Sequence, residues 1–137
     1  MKKTDLKPVV EELNILLADY HLYYQKLRNF HWNVKGHHFF QLHVQFEEMY
    51  NDSKIKIDEI AERILTLGFV PLHTYGDYTE LSKIKAAKNV SSGNKAIQEI
   101  LNGYEVLLPL ERELLEMSGE SNDEGTNALM SDYIREQ

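Results

Sequence analysis

Apolar residues recur every three or four positions along most of this chain. Val9, Leu13, Leu16, Leu17, Tyr20, Tyr24, Leu27 and His31 follow that step, which predicts an amphipathic helix with His31 on its apolar stripe. Pro8 suits the first turn of such a helix, where its missing N–H costs nothing, and Gly36 reads as the stop. A second helix is expected from about residue 38 to 67, with Phe39, Leu42, Phe46, Met49, Ile57, Ile60, Ile64 and Leu67 inward and Gly68 and Pro71 ending it. Residues 69–91 break the pattern and form a long connection, with a short helix expected near 79–86. Ser91 and Ser92 are plausible caps for a third helix reaching about Met117, with a kink expected at Pro109. A loop over 119–125 precedes a fourth helix, beginning near 123–126 and still running at Gln137. No segment alternates as a strand does. The expected fold is an all-α four-helix bundle in a single domain over 1–137.

Composition narrows the function. The 137 residues are 42% hydrophobic and 27% charged, as in an ordinary domain able to bury a core. No run has the apolar length of a membrane helix, and the first residues lack the apolar core of a secretion signal. A cytoplasmic location is the default expectation. Without cysteine, disulfide and thiolate-metal chemistry are excluded. The net charge of −7 opposes a general nucleic-acid binder, whose affinity rests on neutralising phosphates. Lys2, Lys3 and Lys7 are the one local feature read in favour of DNA.

Candidate chemistry lies in His31, His43, Glu47, Asp58 and Glu62. On one helix, positions 43, 47, 58 and 62 fall within an arc of about 100°. Glu47 and Asp58 are nevertheless about 16 Å apart along the axis, so one helix cannot gather them. The pairs 43/62 and 47/58 share one midpoint, between Asp52 and Ser53. Two such helices packed antiparallel about a two-fold axis there would set His43 against Glu62 and Glu47 against Asp58 of the partner, once at each end. That nitrogen and oxygen set suits iron or zinc. Plainer readings stand beside this one. A histidine on an apolar stripe is usually a hydrogen-bonded core residue, His43 and Glu47 form an ordinary polar helix pair, and Asp58 and Glu62 sit near Lys54 and Arg63 as a solvated face would. His21, His37, His38 and His73 have no evident partners. There is no Glu-x-x-His, so the usual di-iron set inside one bundle is missing; there is no phosphate loop and no nucleophile elbow.

The run Asn29-Phe30-His31-Trp32-Asn33-Val34-Lys35-Gly36, then Phe39-Phe40-Gln41-Leu42-His43, Phe46-Glu47-Glu48-Met49-Tyr50 and Asp58-Glu59-Ile60-Ala61-Glu62-Arg63, resembles the Dps-like mini-ferritins over almost the whole chain. The resemblance implies a ferritin-like bundle with a short extra helix in the crossover, assembled by two-fold dimers into a hollow dodecamer. It implies an iron-storage and detoxification protein, a ferroxidase that oxidises Fe(II), preferably with hydrogen peroxide, and stores Fe(III) mineral. A two-iron centre would draw His31, His43 and Glu47 from one subunit and Asp58 and Glu62 from its partner, with Trp32 beside it; zinc would substitute for iron. Three departures follow. Many relatives carry Asp where this chain has Glu47. Relatives usually continue past Gln137, which implies a last helix cut short here. Ala128 stands where relatives often carry Asp in a three-fold pore, leaving Asp123 at the pore mouth and Asp132 deeper as candidates; the plain alternative is that Asp123 caps a helix and Asp132 is a surface charge. The rival functions are a DNA-compacting nucleoid protein and a structural helical oligomer without ferroxidase activity.

Overall fold

A computed structural model describes residues 3–137, with side chains from Asp5 onward, so the N-terminal lysines Lys2 and Lys3 lie outside the described residues or side chains. The elements are α1 (Lys3–Asn33), α2 (Phe39–Thr66), α3 (Tyr75–Leu81), α4 (Gly93–Glu120) and α5 (Glu124–Glu136). Helices α1, α2, α4 and α5 form a four-helix bundle, and α3 lies in the crossover against α1. Among the described residues there is no strand, only an isolated backbone bridge between Lys35 and Ser92.

Helix α1 is the hub, packed against α2, α4 and α3. A helix with three neighbours buries a wide arc. Tyr23 and Phe30 are therefore buried beside the expected Leu13, Leu16, Leu17, Tyr20 and Leu27, while Tyr24 is half-buried. The helix starts at Lys3, so Pro8 stands inside it rather than at its first position. The proline removes one hydrogen bond close to the helix start, where water can replace it.

Gly36 (φ +112°) and Gly68 (φ +88°) adopt left-handed backbone at the two ends of α2, the conformation that only glycine adopts without strain. The extra helix lies earlier than expected, over Tyr75–Leu81 rather than near 79–86. Thr74 caps it by accepting from the Asp77 N–H (3.2 Å), and Ser82 turns extended. Polar residues of α1 hold the rest of the crossover. Asn14 accepts from the Leu72 N–H (2.9 Å), Asp19 accepts from the Ser82 hydroxyl (2.7 Å) and the Lys83 N–H (2.8 Å), and Asn29 donates to the Ala87 carbonyl (3.0 Å). Tyr78 stacks on His21 at 3.8 Å. Ser92 caps α4, which continues through Pro109 on an exposed face. Gly103 lets α4 approach α1 so closely that a Cβ there would meet the Tyr23 ring at 2.8 Å.

Candidate metal centre

The short α1–α2 turn brings two histidines face to face. His31 stands in the last turn of α1 at 7% exposure and His43 on the second turn of α2, with ring centroids 3.7 Å apart. Each ring bonds to the other residue's backbone. His31 Nδ1 lies 2.6 Å from the His43 carbonyl, and His43 Nδ1 lies 2.7 Å from the His31 carbonyl. A carbonyl oxygen can only accept, so both Nδ1 atoms carry the proton and donate. In the neutral ring that leaves each Nε2 with a free lone pair, the form a metal ligand needs.

Tyr50 links this pair to Glu47. Its ring stands edge-on to His31 at 5.3 Å, and its hydroxyl donates a long bond to Glu47 Oε1 (3.4 Å). Phe39 covers the other side of His43, with centroids 5.0 Å apart. Asp58 and Glu62 are exposed and lie farther along α2. Among the described residues no three His, Cys, Asp or Glu side chains form a group able to hold a metal ion. One subunit therefore brings together His31 and His43, ties Glu47 to Tyr50 beside them, and leaves Asp58 and Glu62 apart. Trp32 is 55% exposed beside His31, with the Arg28 guanidinium 4.9 Å from its ring.

The pore candidates sit differently. Asp123 caps α5 and is 4% exposed. Its Oδ1 accepts from Arg63 Nη2 at 2.5 Å, and its carboxylate also accepts from the Thr126 N–H and hydroxyl. The carboxylate is buried and fully engaged, which is the geometry of a helix cap. Asp132 is exposed and paired with Arg135 at 2.7 Å; Glu124 and Ala128 are exposed.

A Ferritin-like domain model matches residues 10–137. The DNA protection during starvation protein of Porphyromonas gingivalis is 38% identical over all of this chain and 86% of its own length. DNA protection during starvation protein 2 of Bacillus anthracis is 42% identical over 90% of this chain and 85% of its own. The chain belongs to the Dps-like mini-ferritins of the ferritin-like superfamily. Its fold superposes with a TM-score of 0.97 on the crystal structure of a Dps protein from Vibrio cholerae O1, described as a member of a broad superfamily of ferritin-like diiron-carboxylate proteins, at 45% identity over 99% of this chain and 86% of that one. This Dps-like chain thus has the all-α bundle and crossover helix expected of its family.

Two features escaped the sequence reading. Tyr50 is visible only as a residue three after Glu47, and nothing in the sequence says that it also reaches His31. Lys56 (3% exposed) and Glu111 (0%) are buried charged groups. Their signal was present: Lys56 shares the inward face with Met49 and Ile60, and Glu111 interrupts the apolar stripe between Leu107 and Leu114.

Proposed function

We propose that this chain oxidises Fe(II), with hydrogen peroxide as preferred oxidant, at centres shared between two subunits, and stores the Fe(III) product inside a dodecameric shell. The observation that carries this reading is the reciprocal His31–His43 lock. It turns both Nδ1 atoms to backbone carbonyls, so that in the neutral rings both Nε2 lone pairs are free, with Glu47 linked to the pair through Tyr50; Asp58 and Glu62 lie too far along the same helix to join them, and no three of these side chains form a group in one subunit. A second copy packed antiparallel supplies them. Further features of α2 support that packing. Phe40 (79% exposed), Val44 (50%) and Leu65 (58%) share the ligand face, and about the midpoint between Asp52 and Ser53, Phe40 faces the partner's Leu65 and Val44 faces the partner's Ala61. Exposed apolar groups in one row mark a surface that association covers. Next to it lies a groove of about 810 Å³, lined by Leu17, Ile55, Ile57, Ala61, Leu72 and Tyr78 with Asp58 at its edge.

In this arrangement iron is the substrate. The histidine Nε2 atoms hold Fe(II), and the carboxylates of Glu47, Asp58 and Glu62 favour the harder Fe(III). Two Fe(II) ions give two electrons to one peroxide, which takes up two protons and leaves as two waters, so no hydroxyl radical is released. Zinc fits the same donors and would compete. Asp132 and Glu124 remain candidate carboxylates on the entry path. The test is an anaerobic Fe(II) titration followed by peroxide. Wild type is expected to bind Fe(II) and consume one peroxide for every two irons; binding and stoichiometry unchanged in His31→Ala/His43→Ala would reject the reading.

One observation favours a second activity, binding of DNA by the outer surface. The segment 82–98 carries Lys83, Lys85, Lys88 and Lys95, all exposed, and no acidic residue. In a chain of net charge −7 this is a local basic strip of the kind that meets phosphates. Gel shifts at low and moderate salt, with and without alanine at Lys83, Lys85 and Lys88, test it. Binding lost in that variant supports the strip, and binding unchanged removes it.

A further inference from the structure

The end of α5 rests on a buried carboxyl group. Tyr133 and Glu136 of its last turn, and Gln137 at its cap, each reach across the bundle. The Tyr133 hydroxyl donates to Glu59 of α2 (2.9 Å), and Glu136 pairs with Lys56 of α2 (3.0 Å). Gln137 Nε2 donates to the Tyr20 hydroxyl of α1 (2.5 Å) and to Glu111 Oε2 of α4 (3.3 Å). The Tyr20 hydroxyl donates to the same Glu111 oxygen. Glu111 is fully buried, one turn from the equally buried Leu107 and Leu114.

Two atoms of this contact are unsatisfied. Glu111 Oε1 and Gln137 Oε1 are buried without hydrogen-bond partners. An ionised carboxylate with a bare oxygen is costly to bury, and the groups facing Glu111 offset little of that cost. Tyr20 on α1 stays neutral, pushed well up by burial and by Glu111 itself. Lys56 on α2 is already shared between Asp52 (2.5 Å) and Glu136. On α5, burial and Glu59 push the Tyr133 hydroxyl up, and Glu136 adds a negative charge. Burial accordingly raises the Glu111 carboxyl to about 7, against the pull of Tyr20, Gln137 and Lys56. As a neutral acid Glu111 can donate to the Tyr20 oxygen. Tyr20 then passes its own hydrogen to the Gln137 amide, turned so that its oxygen accepts. Water is close at hand: Tyr20 and Gln137, the two partners of Glu111, line a cleft of about 290 Å³ whose rim includes the exposed Asp52 and Glu136.

We propose that Glu111 is a proton-operated latch on the end of α5. Protonated, it joins Tyr20 and Gln137 in a hydrogen-bonded chain without charge, and the last turn stays docked. Ionised, it is a buried charge with a bare oxygen, and the last turn lifts so that water from the cleft reaches it. The rest of α5 stays in place, held by the fully buried Thr126 and Met130. The docked turn keeps the proton and the lifted turn releases it. Lifting is therefore favoured as pH rises from the ordinary carboxylate value to about 7, and levels off above it. No step of this device involves the iron chemistry proposed above.

Peptide-resolved hydrogen exchange on the whole assembled protein, corrected for the intrinsic rise of exchange with pH, is the test. Amides of residues 133–137 are expected to lose protection by about threefold to tenfold per pH unit up to about pH 7 and to level off above it. Throughout, they exchange at least about tenfold faster than the amides of buried α1, because the opening is local. Glu111→Gln, neutral at every pH, is expected to keep the turn docked and to abolish the slope. Gln137→Leu keeps the carboxyl but cuts its tie to α5, so the turn is expected to exchange freely at acidic pH as well. A flat wild-type profile at 133–137 overturns the proposal, as does a slope unchanged in Glu111→Gln. Exchange there no faster than in α1 would mean that the proton leaves only when the whole bundle unfolds, and also overturns it. Where Glu111→Gln does not fold, Gln137→Leu decides: an unprotected, pH-independent end supports the latch, and a surviving slope rejects it.

Discussion

At His31 and His43 the backbone chooses the tautomer, and the proposed metal chemistry rests on that choice. The candidate residues on α2 could be picked out in the sequence because helical spacing places them on one face. The lock was not, since it depends on the α1–α2 turn setting each ring against the other residue's carbonyl. Tyr50 supports the pair from outside, and removing an outer partner of a metal ligand typically weakens binding. Tyr50→Phe keeps the ring against His31 but deletes the bond to Glu47. It is expected to weaken Co(II) binding by about tenfold without changing the helical circular dichroism; unchanged affinity would show that Glu47 needs no such support. Glu111 gives a separate residue-scale test. Burial pushes its carboxyl up to about 7, against the hydrogen bonds from Tyr20 and Gln137 and the charge of Lys56, which pull it down. Between the ordinary carboxylate value and about 7 the folded state therefore holds a proton that the unfolded chain has released. The stability from this group is complete at acidic pH and is lost as pH rises through about 7. Denaturant titrations should show wild type losing on the order of 2–3 kcal/mol across that window, while Glu111→Gln shows no such slope.

Element boundaries followed local chemistry where the sequence displayed it. Gly36, Gly68, Ser92 and the start of α5 stand where turn and cap residues predicted them. The short helix was misplaced because its register is set by Thr74 at one end and by Asp19 of α1, through Ser82, at the other. No local pattern reveals a partner more than sixty residues away. The start of α5 shows the same limit. Asp123 was legible as a cap, but its pairing with Arg63 of α2 was not. Gly125 belongs to that contact, since a Cβ there would meet the Arg63 guanidinium at 2.4 Å. The two aspartates should therefore separate by phenotype. Asp123→Asn is expected to cost about 2–3 kcal/mol of stability, because it breaks a largely buried pair and weakens a cap; solvent reaching the Arg63 side chain, 23% exposed, limits the loss. Asp132→Asn is expected to leave stability within about 0.5 kcal/mol and to slow iron uptake at low Fe(II). Thermal melts and stopped-flow uptake measure both, and a slow-uptake, fully stable Asp123→Asn would favour the pore-mouth role over the cap.

For the whole molecule, the bundle keeps the candidate ligands of one chain divided. Its four helices fill their common interior with apolar residues and a few buried polar ones such as Lys56 and Glu111, and leave the candidate ligand face of α2 outside beside exposed Phe40, Val44 and Leu65. The sequence carried the shared midpoint of 43/62 and 47/58, and the fold adds that no single subunit closes the set. Among the described residues no helix is long and apolar enough to cross a membrane, and the exposed apolar row is the kind of surface that association covers. The most direct test of the shared centre is complementation. His31→Ala/His43→Ala and Asp58→Ala/Glu62→Ala proteins are each expected to lose rapid Fe(II) oxidation by peroxide while keeping their fold. Refolded together, they form mixed dimers in which one centre regains every ligand and the other has none of those four groups. Rapid iron oxidation returning only in the mixture is the predicted result; heterodimers that form and remain inactive would contradict a centre built from two subunits.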